Sequence, residues 1–188
     1  METKTQAQLE ELLKTVVEFM KQKDPGLSGM LEPELVCCDF EKRSALIRYR
    51  KKDWEKNHRG EMHGGAAASM FDVAMGITIS AFTGGENVTT TDLHVSFIRP
   101  FFGESFDIEV EVLHLGKSLV RVRAIARDTE TGKEIASAIA NYAHMHDSDA
   151  KETTAEALPA IIKWAKKEGY EFRAMTPNCP TYHHKVNN

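Results

Sequence analysis

The chain has 188 residues, 41% of them hydrophobic and 28% charged. These are globular proportions, and a chain of this size buries about 70% of its unfolded surface, so it needs no disulfide or structural metal to hold a core. Lys and Arg number 24 against 28 Asp and Glu, and the net charge of −4 argues against a protein that neutralises nucleic-acid phosphates over a broad face. Cys37 and Cys38 are adjacent and Cys179 is distant, which is no disulfide framework; with no basic start and apolar run in the first residues, a cytoplasmic location is expected.

In chain order, Leu9, Leu12, Leu13, Val16, Val17 and Met20 recur at helical spacing, Thr5 and Gln8 suit a capping box, and Asp24-Pro25-Gly26 stops the run. This amphipathic helix, within an N-terminal segment 1–29, is expected to cover an edge or end of the core. Its polar face carries mixed charges, unlike a membrane-surface helix. Leu35–Phe40 and Ser44–Tyr49 are short β-rich runs that predict a hairpin, followed by a charged loop over 50–59. The stretch 64–85 has Asp72 as its only charge. It is long enough to span a bilayer, but a carboxylate at the bilayer centre costs about 2.5–3.5 kcal/mol, and the neighbouring segments are strands. A buried helix, apolar on nearly every side and wrapped by the strands that follow, is expected.

Val88–Ile98 is a strand ended by Pro100, and Phe106, Ile108, Val110 and Val112 alternate with Asp107, Glu109 and Glu111. Leu115-Gly116-Lys117-Ser118 supplies a tight turn, after which Val120, Val122, Ala124 and Ala126 alternate in a returning strand. Asp128–Gly132 turns again into Glu134–Met145. The expectation is an α+β domain over 30–146: a long central helix wrapped by a curved antiparallel meander. Residues 147–188 form a C-terminal extension with one helical stretch carrying Leu158, Ile161, Ile162 and Ala165 on one face.

On a wheel at 100° per residue, Gly65, Ser69, Asp72, Gly76, Ser80 and Thr83 share a narrow arc. A carboxylate on the packing face of a buried helix is either a satisfied structural acid or a catalytic one. The segment leading into the helix, Asn57-His58-Arg59-Gly60-Glu61-Met62-His63-Gly64-Gly65, places glycines at a helix start, where free N–H groups and the helix dipole favour negative charge. That is oxyanion-hole chemistry, and an acid on the same helix could attack an acyl carbon or deprotonate water.

Asn57, His63-Gly64-Gly65 and Asp72, followed by Val88-Thr89-Thr90-Thr91-Asp92-Leu93-His94-Val95-Ser96-Phe97-Ile98-Arg99-Pro100 and Gly103, resemble the hotdog-fold acyl-CoA thioesterases of the phenylacetate-pathway and 4-hydroxybenzoyl-CoA type. The resemblance implies that Asp72 is nucleophile or general base, that the amides of Gly64 and Gly65 bind the thioester oxygen, that Asn57 and His63 orient the site, and that Thr90 positions water or acid. It also implies a homodimer, or a pair of dimers forming a tetramer, with the site joining residues of two subunits. Neither a metal nor a cofactor is expected beyond the coenzyme A of the substrate. Gly65 and Ser69 are candidate substrate contacts. Arg99, Lys117 and the basic loop Arg48, Arg50, Lys51, Lys52 and Lys56 are candidates for the phosphates of coenzyme A or for a carrier protein.

Gly116-Lys117-Ser118 ends like a phosphate-binding loop, but Glu111 stands where that motif needs its first glycine. His144 with His146, and His183 with His184, have no third ligand at metal spacing, and Cys37 and Cys38 have no activating neighbour in sequence. The Asp-x-Asn-Pro-x-His stretch of hotdog hydratases does not occur. Thioester hydrolysis is the expected activity; a non-catalytic acyl-CoA sensor is the alternative, with nucleic acid and membrane expected to play no part.

Overall fold

A computed structural model describes residues 3–144 and Lys167. The chain divides into the units Met1–Met145 and His146–Asn188. The extension expected over 147–188, with its helical stretch, falls outside the described residues apart from Lys167.

The amphipathic helix is α1, Gln6–Lys23. Thr5 Oγ1 caps it by accepting the Gln8 N–H at 3.2 Å. The expected return bond is displaced by one residue: Gln8 Oε1 accepts from the backbone N–H of Lys4, at 3.0 Å, rather than from that of Thr5. Leu9 and Leu13 are fully buried, which stabilises by about 1.5–3 kcal/mol each. They pin α1 against the central helix and the first strand. A one-turn helix, α2 (Leu27–Leu31), was not foreseen. Gly29 permits it, since a Cβ there would lie 1.9 Å from the Asp24 carbonyl oxygen.

The predicted hairpin is β1 (Glu34–Asp39) and β2 (Ser44–Arg50). The charged loop contains a 3-10 turn, Asp53–Glu55, and leads to the central helix α3, Gly64–Phe82. Then follow β3 (Val88–Phe97), β4 (Ser105–Leu115), β5 (Leu119–Asp128) and β6 (Glu134–His144). They form one sheet in the order β1-β2-β4-β5-β6-β3, antiparallel throughout. The meander is therefore β4-β5-β6, while β3 crosses to the far edge and pairs with β6. Two N–H groups, of Ile98 and Arg99, close on the Ile135 carbonyl at 2.9 and 3.1 Å. Pro100 has no N–H to continue the ladder, and the chain returns to β2, where Lys51 N–H donates to Glu104 O at 2.8 Å.

Alternation works as read. Ile47, Tyr49, Phe106, Ile108, Val110, Val120 and Val122 point inward, and on β5 and β6 the inward positions narrow to Ala124, Ala126, Ala136, Ala138 and Ala140. Two of these short side chains, Ala126 and Ala136, line a cavity beside α3. The helix is long and apolar enough to cross a bilayer, yet here it is the core helix of the sheet. It is not wrapped on every side as expected. The sheet and α1 cover Met70, Phe71, Ala74, Met75, Ile77, Thr78 and Ile79, and leave Ala68, Ser69, Asp72, Val73, Gly76 and Ser80 half-buried along an open seam. One sheet can cover only one side of a cylinder.

Candidate active site

Two groups of residues on α3 are the candidates for chemistry. The first is its N-terminus. His63 caps the helix, with Nδ1 accepting the Gly65 N–H at 2.9 Å, so the ring is in the tautomer that keeps its proton on Nε2. The Gly65 amide, expected to help bind an oxygen, is consumed by this bond. The Gly64 N–H has no partner among the described residues, and it stands at the positive end of the helix dipole. A Cβ at Gly64 would lie 3.3 Å from the tip of the Phe97 ring, which is exposed and can turn aside.

The loop before it is heavily cross-linked. His63 N–H donates to Glu55 O at 2.7 Å, Asn57 N–H to Glu61 O at 2.8 Å, and Met62 N–H to Phe101 O at 2.9 Å. Glu55 is only 1% exposed. Its Oε2 accepts the Lys52 N–H at 2.8 Å, its Oε1 is unpartnered, and burial pushes its carboxyl up. Asn57 closes its own turn through Oδ1, which accepts the Arg59 N–H at 2.8 Å. Asn57, Arg59, Glu61, Gly64 and Arg99 line a cavity of about 600 Å³ whose apolar wall includes Phe71, Phe97, Phe101 and Phe106. That is the size and character of a small-molecule site.

The second group surrounds Asp72, two turns further on. Its Oδ1 accepts the Thr90 hydroxyl at 2.6 Å and the Tyr142 hydroxyl at 2.8 Å. Its Oδ2 has no partner among the described residues. Thr90 and Tyr142 face each other across β3 and β6, and a bulge between Thr90 and Asp92 sets the local register. Bulges re-aim side chains in this way. Tyr142 is buried, and burial first, then the Asp72 charge, pushes its phenol up. It therefore stays a donor. Sequence reasoning missed it: nothing local marks a tyrosine in an alternating strand as the partner of an acid 70 residues earlier. Asp72 was expected buried and is half-buried, on the open seam.

The two groups do not meet within one chain. Eight residues of helix separate Gly64 from Asp72 by about 12 Å along the axis and turn them by about 80°. One acyl carbon cannot touch both groups of one helix. Other sequence candidates also separate. Ser69 donates its hydroxyl to Gly65 O at 3.0 Å. Arg99 lines the cavity and donates to Glu134 O. Lys117 is exposed in the β4–β5 turn at the opposite end of the sheet, about 30 Å away by strand length, so Arg99 and Lys117 do not converge.

The basic loop is committed internally. Arg48 forks onto Asp107 at 2.7 and 2.8 Å, Arg50 pairs with Glu34 at 3.2 Å, Lys52 with Glu32 at 3.1 Å and Lys56 with Asp53 at 2.6 Å. Lys51 Nζ donates to Phe102 O at 2.5 Å. His144 meets Gly116 O through Nε2 at 3.0 Å, a strand-end contact. Burial pushes the Cys38 thiol up, away from the thiolate form. Among the described residues no three His, Cys, Asp or Glu side chains are grouped to hold a metal ion.

Comparison with known proteins gives a consistent picture. Residues 59–135 match the thioesterase superfamily. A candidate esterase of Saccharolobus solfataricus is 25% identical over 134 residues, 71% of this chain and 93% of that protein. Among solved structures, the PaaI protein of the phenylacetic acid degradation operon of E. coli aligns with a TM-score of 0.65 at 15% identity, covering 76% of this chain and 97% of its own. A Streptococcus mutans protein solved with acetyl CoA bound aligns with a TM-score of 0.54 at 18% identity, covering 60% of this chain and 88% of its own.

Proposed function

We propose, on the premise that residues 59–135 are a thioesterase-superfamily segment on a hotdog fold, that the protein hydrolyses an acyl-CoA thioester to the free acid and coenzyme A, in a site shared by two copies of the chain. The observation that carries this reading is the placement of the two competent groups. Asp72 Oδ2 and the Gly64 N–H lie on one helix, about 12 Å apart, beside a seam of small half-buried residues. A second α3 packed antiparallel about a two-fold axis brings the Asp72 of each copy opposite the Gly64 of the other. Midway lies Ala68, and a Cβ added at Gly76 meets nothing within 4 Å, so two seams can approach closely.

In that site the acyl group enters the phenylalanine-walled cavity and the thioester oxygen takes the Gly64 N–H. Oδ1 is anchored by Thr90 and Tyr142, which leaves Oδ2 to act. In one route Oδ2 takes a proton from water, the water oxygen bonds to the acyl carbon, the C–S bond breaks, and the leaving thiolate recovers the proton. In the other, Oδ2 bonds to that carbon, the C–S bond breaks and coenzyme A leaves as thiolate, and water then cleaves the resulting anhydride, its hydroxyl going to the acyl carbon and its proton to the thiolate. Both use the same carboxylate. The acetyl CoA held by the Streptococcus mutans neighbour supports coenzyme A as the carrier.

The test is thiol release from a panel of aromatic, short-chain and long-chain acyl-CoAs, with Asp72→Asn beside the wild type. Turnover of one class, reduced more than about 10³-fold in a folded Asp72→Asn protein, is the expected result. Tight binding without release by the wild type would replace hydrolysis with acyl-CoA sensing.

A further inference from the structure

We propose that Glu61 is a positioning residue that fixes the side-chain amide of Asn57, so that one of its N–H bonds is held ready for the acyl oxygen beside Gly64; the use of that N–H rests on the hydrolase reading above. Glu61 was no candidate in the sequence and belongs to no part of the mechanism just given. Its carboxylate is nevertheless 4% exposed and lines the cavity, where an unpaired charge is costly.

The backbone around it is already complete. Gly60, at φ +81°, makes the reversal, its N–H donates to Asn57 O at 3.0 Å, and Asn57 N–H closes on Glu61 O. The turn is closed again by Asn57 Oδ1 and the Arg59 N–H. None of these bonds needs a carboxylate. What the carboxylate adds is directed at one group: Oε1 accepts Asn57 Nδ2 at 3.0 Å and Arg59 Nε at 2.5 Å, and also meets Arg59 Nη2. The Asn57 amide is thus held at both ends. Flipping it would set Oδ1 against the carboxylate and the NH2 group against the Arg59 N–H, two repulsive contacts.

A primary amide has two N–H donors. One is spent on Glu61; the other has no acceptor among the described residues, on a side chain that lines the same cavity as Gly64. Together with the Gly64 N–H it makes a two-donor cradle for one oxygen. Arg59 balances the charge, so that the Asn57 amide and the Arg59 guanidinium hold the Glu61 carboxyl below the usual carboxylate range.

The experiment pairs kinetics with NMR of the full chain. The Asn57 side-chain amide signal, assigned by its loss in Asn57→Ala, is followed in wild type, Glu61→Ala and Glu61→Gln. Thiol release is measured for the same variants with and without Asn57→Ala. The expected result is a moved Asn57 signal in Glu61→Ala, a loss of about tenfold in kcat with KM changed less than about twofold, and recovery of most of that loss in Glu61→Gln, which keeps an acceptor oxygen. Glu61→Ala should cost nothing further once Asn57 is alanine. An unmoved signal, or equal losses in both backgrounds, would overturn the inference while an active wild type leaves the hydrolase reading intact. A moved signal in a protein that hydrolyses none of the panel would overturn the hydrolase reading and the use of that N–H, but not the hold of Glu61 on Asn57.

Discussion

The two ends of the candidate site are built by opposite means. At the start of α3 the proposed group is a backbone N–H, set free by a helix end, with a loop locked around it mostly by bonds between residues close in sequence, the Met62–Phe101 bond excepted. At Asp72 the working group is a side chain, held by hydroxyls from β3 and β6 whose positions depend on the register of the whole sheet. A local device tolerates changes in the sheet; a long-range one does not. The Gly64 donor should therefore be lost only when its own N–H is removed, while the Asn57 donor beside it depends on Glu61 and the acid end should weaken by degrees as each support is withdrawn.

After Asp72→Asn, the largest effect expected from this contrast is at Gly64. Proline suits the first position of a helix, and His63, at φ −67° and ψ 132°, already has the conformation preferred before proline. Gly64→Pro should remove the N–H, keep α3 by circular dichroism, and lower kcat about 10²–10³-fold. A loss below about threefold would deny the amide its role. Tyr142→Phe comes next: Thr90 still holds Oδ1, so kcat should fall only about tenfold, and Tyr142→Phe with Thr90→Val should lose more than either alone.

The smallest effect concerns the loop beneath the amide. The folded-state carboxyl of Glu55 is raised by burial, so the folded state favours its protonated form. The resulting cost sets in as pH rises through the ordinary glutamate value toward the folded value and is complete above it. Glu55→Gln should raise Tm at pH 7, with a gain that fades toward pH 4 in a thermal-shift series. A gain independent of pH would show that the charge of Glu55 is not the cause.

The same contrast explains what could be read from the sequence. Period-two alternation located every strand of the meander, and the apolar stretch with one acid located α3. The place of β3 could not be read, because alternation says which face a residue takes and not which strand it pairs with; β3 ends beside β6 rather than β4. Asn57, His63, Gly64 and Asp72 could be singled out because their spacing along the chain is the motif that carries the resemblance. Tyr142 was invisible because it reaches Asp72 only through the β3–β6 register, and Glu61 because its partners are hidden inside a stretch that reads as a charged loop. The free state of Gly64 and the capped state of Gly65 differ only by where the His63 ring turns, which two adjacent glycines cannot reveal.

If Asp72 and Gly64 act on one substrate from two copies of the chain, exchanging subunits between two inactive variants restores activity. Asp72→Asn and Gly64→Pro proteins, each nearly inactive alone, are mixed in equal amounts, allowed to exchange subunits, and assayed for thiol release. In a two-fold dimer each mixed pair regains one intact site, so activity should rise to about a quarter of wild type. Activity no greater than the sum of the two parents, with exchange verified by native mass spectrometry, would place acid and amide in the same chain and contradict the account.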